Sequence, residues 1–417
     1  MSVRATSLAV LFGAIVLGCV SAAECASAAG PQARPVGELP VASDVRVGGD
    51  DAQTRLIIDL NQKIDVHAFT LANPYRVVLD MSQVNFQFPP KAGETGRGLI
   101  KGFRFGLVMQ GGSRIVVELA RPARVDKAYV IDAANDHPAR LVLDLASTDR
   151  EAFMRTIALE NRSLDNRVPE LRKSETHAEG KPGDPRPLIV IDPGHGGIDN
   201  GTRAPSGEPE KTIVLEFSLL LRDKVEKTGK YRVVMTRTDD TFIPLAERVQ
   251  LARSRQASLF ISIHADALRR AEGDAQGATV YTLSERASDA RAAQLAEAEN
   301  QADAIAGLDL SELKDVAGIL IDLTRRETKT FSQQFAQSVV HELKTATRLH
   351  QNPLKSAAFV VLKAPDVPSV LVELGYVTNK ADLKSLISTE WRDRTADAIT
   401  QAIHTFFTPR VAGRGQN

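Results

Sequence analysis

The sequence predicts two folded units of different class. The first is an N-terminal all-β sandwich. The second is an α/β domain with a central, mostly parallel sheet flanked by helices. Between about residues 40 and 148, short β-branched runs are separated by Asn-Pro, Gly-Gly and Asn-Asp turn signals. Residues 149–186 are charged and then proline-rich, as a linker is. From 187 to 408 apolar strand-like runs alternate with helical patterns, the grammar of an α/β fold. A length of 417 residues suits two or three domains. Lysine plus arginine and aspartate plus glutamate balance at 52 each, which argues against a nucleic-acid partner.

The first residues read as a leader. Arg4 is a basic n-region, Leu8 to Val20 an apolar stretch, and Ala26-Ser27-Ala28 a small-x-small cleavage signal, so 1–28 is expected to be a signal peptide. The stretch of roughly 13 apolar residues falls short of the ~20 a membrane anchor needs. A lipoprotein cut before Cys19 is the weaker alternative, because Leu17 beside Gly18 fits that signal poorly. Cys19 and Cys25 both precede the expected cleavage point, so the mature chain has no disulfide and gains its stability from core burial. No later segment is long and apolar enough to form a transmembrane anchor.

Four strand candidates in the β unit share one pattern of arginine, three apolar residues, an acid and an apolar residue. They are Arg55–Leu60, Arg76–Met81, Arg114–Leu119 and Arg140–Leu145, in two pairs spaced 21 and 26 residues apart. Each pair encloses a further strand candidate, Val66–Leu71 or Val125–Ile131. This duplication predicts two similar sheets packed face to face. His67 and His137 have no partners and read as structural or surface residues. The stretch 40–148 resembles the AMIN domain, a small β-sandwich at the front of exported cell-wall amidases. That resemblance implies a peptidoglycan-binding, localising module.

In the α/β unit the strand candidates are Leu188–Asp192, Arg232–Thr236, Ser258–Ile263, Ala278–Thr282, Ala358–Leu362 and Ser369–Glu373. Helical patterns cover Glu210–Lys227, Pro244–Arg255, Phe331–Ala346 and Lys380–Phe406. Residues 409–417 read as a polar tail. Residues 284–330 interrupt the alternation. Arg286 to Ile305 is rich in alanine and charge, hence helical by propensity, and Gly307 breaks it. Val316, Ile319, Leu320 and Leu323 then form one apolar stripe at helical spacing, which an ordinary core-packed helix would also show.

The first strand of this unit ends in Asp192-Pro-Gly-His-Gly-Gly197. A phosphate loop would carry Gly-Lys-Ser/Thr, and this turn has a histidine instead. His195 and His264 both follow strands, where open sheets place their ligands. Glu210 opens the first helix and Glu373 ends the last strand. Two histidines and a carboxylate suit a catalytic zinc site, with a second carboxylate as proton acceptor. Spacings of 15 and 54 residues form no motif by themselves, so each histidine also reads as a hydrogen-bonded turn or strand-end residue. Asp266 fits either a residue orienting a ligand or a cap. Arg248 reads as a surface ion pair before a substrate contact. Glu216 lies off the helical face of Glu210, and His177, His341, His350 and His404 lack a motif.

Asp192–Gly197, Glu210-Lys211, Ser262-Ile-His-Ala-Asp266 and Val370-Leu-Val-Glu373 stand in the order seen in zinc-dependent N-acetylmuramoyl-L-alanine amidases. The resemblance covers 187–408. It implies that His195, Glu210 and His264 bind zinc, that Glu373 is catalytic, and that the substrate is the lactyl–L-alanine amide of peptidoglycan. A zinc peptidase acting on stem peptides and a non-catalytic wall-binding scaffold are the competing readings. The insert, with Ala296-Glu-Ala-Glu-Asn300, is similar to that of the division-associated periplasmic amidases. That similarity implies a periplasmic enzyme held off by an insert glutamate, Glu299 with Glu297 as runner-up. It also implies a LytM-type activator that binds the stripe Val316, Ile319, Leu320 and Leu323.

Overall fold

The computed structural model describes residues 39–109, 111–134, 137–164, 184–267, 276–308 and 322–414. The leader lies outside them, as do Val316, Ile319, Leu320 and His177. The β unit contains β1 (Val41–Gly49), β2 (Gln53–Leu60), β3 (Val66–Leu71), β4 (Arg76–Ser82), β5 (Asn85–Phe86), β6 (Ile100–Met109), β7 (Gly112–Leu119), β8 (Ala123–Ile131) and β9 (Ala139–Ser147). Among the described residues they form two sheets, ordered β5-β1-β2-β9-β8 and β3-β4-β7-β6. Leu56, Ile58, Leu141 and Leu143 of the first sheet meet Val77, Leu79, Ile115 and Val117 of the second in one core. Burying side chains of this size contributes about 1.5–3 kcal/mol each.

The four repeated strands are β2, β4, β7 and β9. They do not pair as the sequence orders them. β2 pairs with β9 and β4 with β7, so each sheet takes one strand from each half of the duplication. Arginine and acid stand four residues apart and so share one face of a strand. The antiparallel register then sets Arg55 opposite Asp144, Asp59 opposite Arg140, Arg76 opposite Glu118 and Asp80 opposite Arg114. The helix α1 (Arg150–Leu164) occupies the first part of the expected linker, and its buried Phe153 packs into the sandwich core.

The α/β unit runs β10 (Leu188–Pro193), α2 (Glu210–Lys227), β11 (Arg232–Met235), α3 (Leu245–Ser254), β12 (Leu259–His264), β13 (Ala278–Leu283), α4 (Ala290–Glu299), α5 (Ala302–Ile305), α6 (Asp322–Ala346), β14 (Leu349–Ala357), β15 (Ser369–Glu373), α7 (Lys380–Leu386) and α8 (Thr389–Arg414). Its sheet order is β11-β10-β12-β15-β13-β14, parallel throughout except for the β13–β15 pair. Both faces are covered. Ile189 and Ile191 join one core with α2, α6 and α8, while Val190 joins another with α3 and α4. That two-sided burial explains the unbroken apolar run of β10. Val78 and Val116, on the outer face of the second sandwich sheet, also belong to the second core.

Three expectations need correction. Ala358–Leu362 is no strand. It is a buried loop with a 3-10 turn at Val360–Leu362, and the strand is β14, whose polar His350-Gln-Asn segment, exposed at Gln351 and Asn352, hides an edge strand from a hydrophobic reading. The expected helix Lys380–Phe406 breaks at Ile387–Ser388, and α8 continues through the expected tail to Arg414. The insert helix starts at Ala290 rather than Arg286, with Asp289 accepting from the Ala292 N–H as its cap, and breaks at Asn300–Gln301.

Candidate active site

β10 and β12 lie side by side, and β12 pairs with β15 so that His264 stands opposite Glu373. The turn after β10 begins on the same edge. His195 there adopts a left-handed conformation, φ 58°. Such a residue costs of order 1–3 kcal/mol and needs its surroundings to hold it. Two buried arginines do so. Arg237 Nη2 donates to the Gly194 carbonyl at 2.7 Å, and Arg248 Nη2 donates to the His195 carbonyl at 2.8 Å. Arg248 is therefore not a surface residue, and it lines the small space between the site and the insert. It is 2% exposed and ion-paired to Asp192 at 2.8 Å. Burial opposes ionisation of Asp192, but Arg248 and the Thr236 and Ser262 hydroxyls outweigh it and hold the carboxyl below its usual range. Gly194 is required because a Cβ there would stand 2.4 Å from the His264 ring.

His195 Nδ1 donates to Asp199 Oδ2 at 2.8 Å. A carboxylate can only accept, so Nδ1 carries a proton and Nε2 is the nitrogen left to bind a metal. Asp199 also accepts from Gly201 N–H. The sequence reading missed Asp199, although an acid four residues after His195 in the same turn is its visible signal. Glu210 is fully buried. Its Oε1 accepts from Ala265 N–H at 2.8 Å and its Oε2 from Thr202 N–H at 3.0 Å. Glu210 Oε1 lies 3.2 Å from His195 Nε2 and 3.4 Å from His264 Nδ1. One ligand atom from each of the three lies within 4.8 Å of the others, an arrangement able to hold a metal ion.

The donor set fits such an ion. His195 Nε2, His264 Nδ1 and Glu373 Oε1 are buried without a hydrogen-bond partner. Orphans of this kind cost about 1–3 kcal/mol each. Burial works against charge on His195, yet Glu210, Asp199 and Glu299 raise its pKa well above the usual value. Burial is likewise outweighed at Glu210, where His195 and His264 hold the carboxyl well below its range. Glu373 goes the other way. Burial, with Asp266, Glu210 and Glu299 nearby, pushes it well above. Its Oε2 is anchored by the Asp266 N–H at 3.0 Å. The Asp266 side chain accepts from the Thr202 hydroxyl.

A family profile described as N-acetylmuramoyl-L-alanine amidase matches residues 189–405, and one described as AMIN domain matches 44–150. N-acetylmuramoyl-L-alanine amidase AmiC of Neisseria meningitidis serogroup B is 33% identical over 387 residues, 90% of this chain and 92% of the relative. AmiC of Escherichia coli O6:H1 is 32% identical over 374 residues, 87% of this chain and 88% of the relative. AmiA of Escherichia coli K12 is 40% identical over 223 residues, 53% of this chain and 76% of the relative. The chain belongs to the N-acetylmuramoyl-L-alanine amidase family.

In this amidase the insert lies over the site. Glu299 Oε2 is 3.3 Å from His264 Nδ1 and 3.7 Å from His195 Nε2, and the side chain is 11% exposed. Burial pushes its carboxyl up to about 7, against the pull of His264 and His195. Glu297, two residues earlier on α4, points elsewhere and is exposed. Asn300 fastens the helix end by donating to the Ala358 carbonyl at 2.9 Å and accepting from Val360 N–H at 2.7 Å. Asp303 accepts from Leu245 N–H at the start of α3. Neither anchor was foreseen from sequence. The space left between the site and the insert is about 10 Å³, room for one water.

The remaining candidates lie apart from the site. Glu216 pairs with Arg392 at 2.6 Å, His404 contacts Lys230 and Tyr231, and His350 Nδ1 accepts from the Asn352 N–H within β14. Leu323 falls in the first turn of α6. Among the described residues no helix is long and apolar enough to cross a membrane.

Proposed function

We propose that this amidase is a zinc enzyme that hydrolyses the amide between the lactyl group of N-acetylmuramic acid and L-alanine in peptidoglycan. The observation that carries this reading is the buried convergence of His195, Glu210 and His264, with an unpartnered carboxylate oxygen of Glu373 on the next strand. His195, Glu210 and His264 would hold the zinc, which would supply a Lewis acid for water and carbonyl activation. Asp199 fixes the His195 tautomer. Glu373 takes the proton from the attacking water and returns it to the departing nitrogen of L-alanine. Water adds across one C–N bond, leaving a lactyl carboxylate on the glycan and a free stem peptide. Burial keeps Glu373 basic enough to accept that proton.

Digestion of purified muropeptides, read by mass spectrometry, tests this. Intact stem peptides released in a zinc-dependent, EDTA-sensitive reaction are expected, with Glu373→Ala inactive yet still zinc-loaded. Cleavage inside the stem peptide would instead mark a peptidase, and no cleavage with zinc bound would mark a scaffold.

The closed geometry supports a second element of the reading, self-inhibition. Glu299 occupies the approach to the two histidines, and a tethered carboxylate competes at high effective concentration. A LytM-type activator that binds the stripe Val316, Ile319, Leu320 and Leu323 would favour the open state. The enzyme is exported, acts in the periplasm on the cell wall in septum splitting or wall remodelling, and uses its sandwich to bind peptidoglycan. Deleting residues 286–326, or Glu299→Ala, is expected to raise basal activity on purified peptidoglycan. No rise from either change sinks the self-inhibition.

A further inference from the structure

We propose that the outer face of the second sandwich sheet is the docking surface for the insert and holds Glu299 over the site. This rests on the reading that Glu299 blocks the site. Arg76 donates to the Ala304 carbonyl, and Arg114 Nη1 donates to the Ala306 carbonyl at 2.9 Å. Both arginines are buried. The carbonyls they reach belong to the last turn of α5 and the residue after it, and that of Ala304 also accepts from the Gly307 N–H at 3.1 Å. Between the arginines, Val78 and Val116 form an apolar floor. Gly307 rests on it so closely that a Cβ would stand 2.9 Å from Val78 and 3.0 Å from Val116. Its φ of 75° also suits glycine.

The contact is specific to this face. The first sheet carries the same repeated arginines, and there Arg55 and Arg140 turn to acids of their own sheet. Asp80 takes the other edge of Arg114, with two bonds of 2.5 and 2.8 Å, and so aims its free Nη1 at the insert. The segment Ala302–Leu308 is thereby held from two sides. Asp303 fastens it to the α/β unit and the two arginines fasten it to the sandwich. The β unit thus acts on the site through the insert.

The test uses the full chain in four forms: wild type, Arg76→Met/Arg114→Met, the first-sheet control Arg55→Met/Arg140→Met, and Glu299→Ala. Two quantities are measured, amide hydrogen exchange at residues 300–308 and dye release from labelled peptidoglycan. The docking-face pair is expected to speed exchange at least about tenfold, the order expected from losing even one of its two charge-assisted hydrogen bonds. Basal release should rise by about the same factor, while exchange at 300–308 in the control stays within about twofold of wild type. Exchange and release both unchanged in the docking-face pair overturn the proposal. If Glu299→Ala raises release in that case, the blocking role survives and only the docking surface fails. If exchange rises while Glu299→Ala leaves release unchanged, the surface stands and the blocking role falls. Exchange protection at 115–119 reports whether the variant folds. Should it not, Gly307→Val breaks the same contact from the insert side and must give the same rise.

Discussion

The two sandwich sheets carry one motif and use it differently. On the first, Arg55 meets Asp144 with the arginine side chain 54% exposed. On the second, Arg114 meets Asp80 in the same register, yet its side chain is 10% exposed and a third donor reaches into the insert. A third arginine–acid pair, Arg248–Asp192 in the α/β unit, is 2% and 1% exposed and supports the turn that bears His195. The same two side chains therefore serve as a solvated cross-strand pair, an interface anchor and an internal strut. What differs is the water around them and the backbone carbonyls within reach.

Four measurements can break or sharpen that ranking. Arg248→Met should cost about 3–5 kcal/mol in urea unfolding, because it strands a buried aspartate. A loss under about 1 kcal/mol would remove the strut from the argument. The same variant has a pH signature. Asp192 titrates below its usual range in the folded chain, so its contribution is complete above the unfolded value, about 3.9, and is lost as pH falls through the lower folded one. Without Arg248 the buried carboxyl takes up a proton more readily. The gap between wild type and Arg248→Met should therefore narrow as pH falls, from the raised carboxyl value of the variant down through the lowered one of the wild type. A gap that stays constant down to acid unfolding contradicts the pairing. Arg114→Met should cost about 1.5–3 kcal/mol, as charge-assisted bonds do. Arg55→Met, at the solvated pair, should cost about 0–1 kcal/mol. Equal losses for these last two would mean that docking onto the insert adds nothing to the second sheet.

Much of the candidate site could be read before any coordinates. His195, Glu210, His264 and Glu373 each sit at the end of an apolar run or the start of a helical one, and such ends are local features. Asp199 was legible too, four residues from His195, but an acid in a polar turn has many uses. Arg248 was misread because a charged residue in a helix pattern is usually solvated. Nothing local reveals that Asp192, 56 residues earlier, waits opposite it in the core. β14 escaped because its polar edge residues carry no apolar period.

The chain by itself determined its two classes of fold and the alternation that buries both faces of the α/β sheet, which follow from periodicity. The four candidate site residues could be picked out only through the resemblance of the motifs around them to a known family. Only the tertiary structure decided how the duplicated strands pair, which of two equivalent sheets meets the insert, and which of two glutamates stands over the histidines. Those choices depend on contacts between segments far apart in sequence. Glu297 and Glu299 are alike until α4 is packed against the site, and then only Glu299 faces the two histidines.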